Sequence, residues 1–233
     1  LAMGIHGESK KPNIVLILID DLGLTDLQAF GGEIDTPNMD ALANGGMMFT
    51  NYHTTSECAP SRAMLLTGMD NHNTGLPMIP EVLPWKYHDT PGYEGYLRDD
   101  ALTIAEMLKP AGYKTYMTGK WHLAFGGRET AALPHNRGFD KTFILDATGG
   151  NNFNHHSYLP YYSESPWFKN GQETELPEDF YSSEFFVDQM IEFIDEDITD
   201  DAPFFSYVSF QAQHIPLKAL QEFINKYLDT YKA

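Results

Sequence analysis

Four short stretches of this 233-residue chain carry side chains able to do chemistry: Asp20-Asp21, Cys58 with Arg62, Lys120 with His122, and His214. Cys58 is the only cysteine, so no intrachain disulfide accounts for it and it must be explained as a lone thiol. It opens the run Cys58-Ala59-Pro60-Ser61-Arg62, followed at once by Ala63-Met64-Leu65-Leu66-Thr67-Gly68. Pro60 suits a first helical turn, Ala63 to Leu66 are good helix formers and Gly68 is a natural stop. Cys58 therefore sits at or just before a helix N-terminus. Free backbone N–H groups and the positive end of the dipole favour an anion there, with Arg62 one turn on.

The other stretches are weaker when taken singly. Asp20 and Asp21 repel unless a cation lies between them, and hard oxygen ligands suit Ca²⁺ or Mg²⁺, although an Asp pair alone is more often a loop or helix cap. Lys120 and His122 are two residues apart, so an extended segment points them the same way. Outside a site, both are usually solvated. A lone cysteine is more often an inert buried hydrophobe than a catalyst.

The elements that must position these groups follow from periodicity. Asn13 to Ile19 is a continuous aliphatic run, as expected of a central parallel strand buried on both faces, and it ends at Asp20. Thr36 caps a short helix with Pro37 at its first position and Gly45 at its end. Met47 to Tyr52 reads as a strand leading to Cys58. Met69 to Asp99, rich in Pro, Gly, Tyr and His, reads as a long loop of the kind that lines a site. Asp100 caps a helix over 101–109, with Leu102, Ala105 and Leu108 on one face. Strands are expected over 114–118, near 141–145 and over 204–210. Helices are expected from Ser182 or Ser183 to about Ile198 and over 217–231. The His155-His156 pair lies in a polar loop; adjacent residues point apart and no third ligand has metal spacing, so the pair reads as surface or substrate rim. Strands alternating with helices give a mostly parallel α/β sheet, which gathers the four chemical stretches along one edge.

Composition narrows the partners. A net charge of −18 with only 15 Lys and Arg argues against nucleic acid and anionic membranes. No apolar run approaches the roughly 18 residues of a bilayer span. An acidic body also means that a site for an anionic substrate must concentrate its cations locally. Compartment stays open among periplasm, exterior and cytoplasm.

The four stretches in this order resemble the arylsulfatase branch of the alkaline phosphatase superfamily, the type I sulfatases. The resemblance rests on Asp20-Asp21-Leu22-Gly23, Cys58-Ala59-Pro60-Ser61-Arg62, Gly119-Lys120-Trp121-His122 and His214-Ile215-Pro216, with Gly31-Gly32-Glu33-Ile34 and Pro91-Gly92-Tyr93-Glu94-Gly95 similar to the bacterial arylsulfatases. It implies an alkaline phosphatase-like sandwich and a sulfuric ester hydrolase. It implies that Cys58 is oxidised to Cα-formylglycine by a formylglycine-generating enzyme, and that the hydrate of this aldehyde attacks the sulfur of a small-molecule or carbohydrate sulfate ester. Asp20, Asp21 and the hydrate oxygen at position 58 would bind Ca²⁺, with Mg²⁺ as the other option. Arg62 would steady the hydrate and Lys120 would bridge it to sulfate. His122 would deprotonate the second hydroxyl to release sulfate, and His214 would contact sulfate and protonate the leaving oxygen.

The family's later Asp-Asn metal pair and sulfate-binding lysine have no counterpart after His214. Residues 1–233 are therefore expected to be the N-terminal part of the catalytic domain, without the later metal segment and the C-terminal domain, and inactive as given. A phosphonate monoester or phosphodiester hydrolase of the same superfamily shares these residue types, because both esters are tetrahedral anions. A thiol hydrolase and a catalytically incomplete, non-enzymatic fragment are the remaining alternatives.

Overall fold

The computed structural model describes residues 10–87, 90–160, 162–197 and 201–229. Among the described residues six strands form one sheet: β1 (Ile14–Ile19), β2 (Lys114–Lys120), β3 (Lys141–Leu145), β4 (Trp167–Lys169), β5 (Gln172–Glu173) and β6 (Phe204–Phe210). Their order across the sheet is β1-β6-β2-β3-β4-β5. The first four positions are parallel, and β4 and β5 run antiparallel at the far side. The last strand in the chain thus inserts between the first two. The carboxyl ends of β1, β6 and β2 lie side by side, which brings residues from the beginning, middle and end of the chain to one edge.

Alternation along the inner strands separates two cores. Met117, Phe205 and Tyr207 face one side with Ala59, Ala63 and Leu66 of helix α2 (Cys58–Thr67) and with Trp121 and Phe139. Ala59 and Ala63 are small enough to seat α2 close against the sheet. Gly68 ends α2 in the left-handed conformation (φ 69°), donating its N–H to the Met64 carbonyl at 2.8 Å. On the other side Tyr116, Phe143 and Val208 pack under the long helix Ser182–Asp197 through Phe186, Met190 and Phe193. The spacing expected for that helix holds through Ile194; Ile198 lies outside the described residues.

Several expectations are corrected. Among the described residues β1 lies at the edge of the sheet rather than at its centre, with Val15 and Ile17 57% and 51% exposed. Residues 47–52 form no strand, and Met47 and Phe49 are exposed; apolar composition finds no pairing partner there. The helix expected over 101–109 is α3, Ile104–Leu108, capped by Thr103 rather than Asp100. Glu106 returns the capping contact, and Leu102 is exposed. The short helix Pro37–Gly45 (α1) forms as expected, but Thr36 Oγ1 bonds the Asp40 side chain at 3.0 Å instead of capping. Helix Ser182–Asp197 is α4. The last helix, α5 (Gln221–Tyr227), is shorter than the stretch 217–231, of which 230 and 231 lie outside the described residues. Strands β4 and β5 are too short for periodicity to mark.

Candidate active site

Asp20 follows β1, and its side chain is 4% exposed. Both oxygens are paired: Oδ1 with Arg62 Nη2 at 3.0 Å and Oδ2 with Lys120 Nζ at 2.5 Å. Burial would raise this carboxyl, but the two cations outweigh it and hold it at about 2. Arg62 also donates from Nη1 to the Lys120 carbonyl (2.9 Å) and Ser209 Oγ (2.5 Å). One guanidinium therefore ties α2 to the ends of β1, β2 and β6. Lys120 Nζ makes a further bond to the Thr148 carbonyl and is fully buried.

Gly119 prepares the turn beyond β2. Its φ is +98°, and a Cβ there would meet the Ser209 carbonyl at 1.9 Å. Only glycine lets β2 lie this close to β6 while redirecting the chain. His122 follows in the left-handed region (φ 63°), held by Asp146, whose Oδ1 accepts from the N–H groups of Leu123 and Ala124 at 3.0 and 3.1 Å. Lys120 and His122 do not point together by simple alternation, as expected from the sequence. Lys120 turns towards Asp20, while His122 Nδ1 reaches Cys58 Sγ at 3.3 Å. Their burial also means that neither is a solvated loop residue.

Three groups absent from the sequence reading complete the site. Glu81 Oε2 lies 2.8 Å from His122 Nε2, with side chains 3% and 1% exposed. Burial opposes its charge, yet His122 brings Glu81 down to about 2. In the same way Glu81 and Cys58 outweigh burial and lift His122 to about 9. Burial likewise opposes the Cys58 thiolate, but His122 and then Lys120 bring the thiol down to about 6. Tyr162 donates to Glu81 Oε1 at 3.1 Å. Tyr158 lies 3.3 Å from His214 Nδ1. Glu81, Tyr158 and Tyr162 come from loops with no periodicity, and only their residue types marked them.

His214 arrives from the end of β6, with Nε2 3.9 Å from Asp21 Oδ2. Asp21 itself is in the left-handed region (φ 57°), and its side chain is 57% exposed. A cleft of about 380 Å³ lies between Asp20, Asp21, Thr55, Cys58 and Arg62. All seven residues singled out from the sequence thus gather at one edge. His155 stays at the surface, 3.5 Å from Glu164.

Asp20 and Asp21 have the hard-oxygen chemistry of a divalent-cation site. Among the described residues, however, no group of three or more His, Cys, Asp or Glu side chains is arranged to hold a metal ion. Both Asp20 oxygens are engaged by Arg62 and Lys120, while the Asp21 carboxylate is 57% exposed.

The site can present a nucleophile at a helix N-terminus, accept or return its proton through a buried imidazole, and surround an anion with Lys120, Arg62 and His214. The family model described as Sulfatase matches residues 12–233. An arylsulfatase of Klebsiella aerogenes is 38% identical over 243 residues, covering 100% of this chain and 49% of that protein. An uncharacterized sulfatase of Schizosaccharomyces pombe is 40% identical over 244 residues, covering 99% and 43%. The chain spans about half the length of these curated relatives. Among solved structures, "Crystal structure of Ps i-CgsB in complex with k-i-k-neocarrahexaose" is similar with a TM-score of 0.78 and 31% identity, covering 95% of this chain and 49% of that one.

Proposed function

The chain belongs to the sulfatase family, and on that premise we propose that it carries the nucleophile-bearing part of an arylsulfatase-type enzyme that hydrolyses sulfate esters. The observation that supports this most directly is the pairing of Cys58 Sγ with His122 Nδ1 at 3.3 Å, at the N-terminus of α2.

Position 58 is the nucleophile. As the hydrate of Cα-formylglycine, formed by adding water to the aldehyde, it would supply two hydroxyls on one carbon, one to bond sulfur and one to be deprotonated so that sulfate can leave. A plain thiol lacks that second group. His122 Nδ1 is placed to hold and move the proton at this position. Lys120, fully buried and anchored on Asp20, keeps a positive charge beside the sulfate where water cannot screen it. Arg62 fixes the helix that carries position 58 and adds to the same field. His214, steadied by the Tyr158 hydroxyl, serves the sulfate and the leaving oxygen. Asp20 and Asp21 would hold a divalent cation, Ca²⁺ by ligand type, which when bound neutralises charge on the nucleophile and the ester. The acidic chain thus binds an anion by gathering its cations at one sheet edge.

The test is peptide mass spectrometry of position 58 in protein from the native host, together with turnover of an aryl sulfate and a phosphonate monoester. The expected result is an aldehyde reactive to hydrazides, with activity proportional to its fraction and the sulfate preferred. An unmodified thiol throughout active enzyme, or preference for the phosphonate, overturns the reading.

A further inference from the structure

We propose that Glu81 is a positioning residue for His122: its carboxylate holds the ring through Nε2–H, so that Nδ1 is the nitrogen offered to position 58. This rests on the reading that His122 moves a proton during sulfate-ester hydrolysis.

The argument begins with what a carboxylate can do. An ionised carboxylate only accepts, so a nitrogen 2.8 Å from Glu81 Oε2 must carry hydrogen. Glu81 cannot readily turn away. Its Oε1 accepts from the Thr148 N–H and from the Tyr162 hydroxyl, each at 3.1 Å, and its side chain is 3% exposed. Three donors, one from the β2–β3 connection and two from the β3–β4 connection, therefore lock one carboxylate. The backbone of His122 is equally fixed, because Asp146 accepts the two N–H groups that follow it.

With Nε2 committed, proton exchange is confined to Nδ1, which faces Cys58 Sγ at 3.3 Å. Without Glu81 the neutral ring could carry its hydrogen on Nδ1 instead. That tautomer points a donor at position 58 and cannot take a proton from it. Among the described residues the Glu81 carboxylate bonds His122, the Thr148 N–H and the Tyr162 hydroxyl, so its effect on position 58 passes through the ring. The loop over 69–99 contributes to chemistry in this way, through a residue lying in the short 3₁₀ turn Pro80–Val82.

The experiment is made on the full-length, matured enzyme. Selective ¹⁵N labelling of histidine, with His122 assigned from His122→Gln and spectra taken above about pH 9, where the ring becomes neutral, reads which nitrogen is protonated. Steady-state kinetics on an aryl sulfate accompany it. The expected result is hydrogen on Nε2 in the wild type. In Glu81→Gln that hydrogen redistributes towards Nδ1, and kcat falls by about 10²- to 10⁴-fold, the scale seen when a carboxylate that orients a catalytic imidazole becomes an amide. KM is expected to stay within about threefold, whereas a collapsed pocket would raise KM as well. A wild-type kcat in Glu81→Gln overturns the proposal, as does an unchanged tautomer in that variant. Should Glu81→Gln fail to fold, the wild-type spectrum decides: hydrogen on Nδ1 of the neutral ring overturns it. A tautomer that responds to Glu81→Gln in an enzyme that turns over no sulfate ester supports the pairing and removes only the reading of the reaction.

Discussion

Asp20 Oδ1 and Arg62 Nη2 meet at 3.0 Å, 42 residues apart in sequence and 4% and 2% exposed. The contact joins the end of the first strand to the helix that carries Cys58. Lys120 closes the same carboxylate from the other side. Removing either cation leaves a buried charge short of a partner, which is costly beyond the value of the pair itself. Arg62→Ala is expected to lower unfolding stability by about 3–5 kcal/mol, read from urea midpoints. Lys120→Ala is expected to lose stability as well as about 10²-fold or more in turnover. Unchanged midpoints in both variants would return these ions to a purely catalytic role.

Gly119 of β2 pairs with Ser209 of β6 at the site. With φ at +98° and the Ser209 carbonyl 1.9 Å from any added Cβ, Gly119→Ala must part the two strands or bend β2. The expected loss exceeds about 1 kcal/mol and falls together with activity, because Lys120 and His122 hang on the same turn. Circular dichroism melts of wild type and variant measure it. A variant that melts with the wild type would show that the strands yield without cost.

Unconverted Cys58 should behave as a reactive thiol. Against the cost of burial, His122 and Lys120 favour the thiolate, and the thiol titrates at about 6 rather than 9. The rate of iodoacetamide alkylation is therefore expected to reach half its maximum near pH 6, and His122→Ala should move that midpoint up. A midpoint above pH 8 in the wild type contradicts the pairing seen here.

The Glu81–His122 pair also sets a pH window for stability. Glu81 is lowered from 4.5 to about 2, so its contribution is complete above pH 4.5 and is lost as pH falls towards about 2. His122 is raised from 6.5 to about 9, so its contribution is complete below pH 6.5 and is lost as pH rises through about 9. The pair stabilises fully between these limits. The difference in melting temperature between wild type and Glu81→Gln is expected to be largest from pH 4.5 to 6.5 and to shrink on either side. A difference that grows below pH 4.5 would reverse the assignment.

Much of the site was legible in the sequence because its chemistry is carried by residue types at fixed places. Cys58-Ala59-Pro60-Ser61-Arg62 announces a helix start by local rules, and the unbroken run from Ile14 to Ile19 announces a strand that stops at Asp20. Parallel topology then requires the strand ends to share an edge. What the sequence could not supply depends on long-range geometry. Nothing local tells whether a further layer covers Val15 and Ile17, which are exposed among the described residues. Alternation suggested that Lys120 and His122 point together, but the left-handed backbone at His122, supported by Asp146 from the end of β3, sends them to different partners. Glu81 stands in an aperiodic loop 41 residues before His122. Loop closure alone decides that contact, and hence which nitrogen of the imidazole faces the nucleophile.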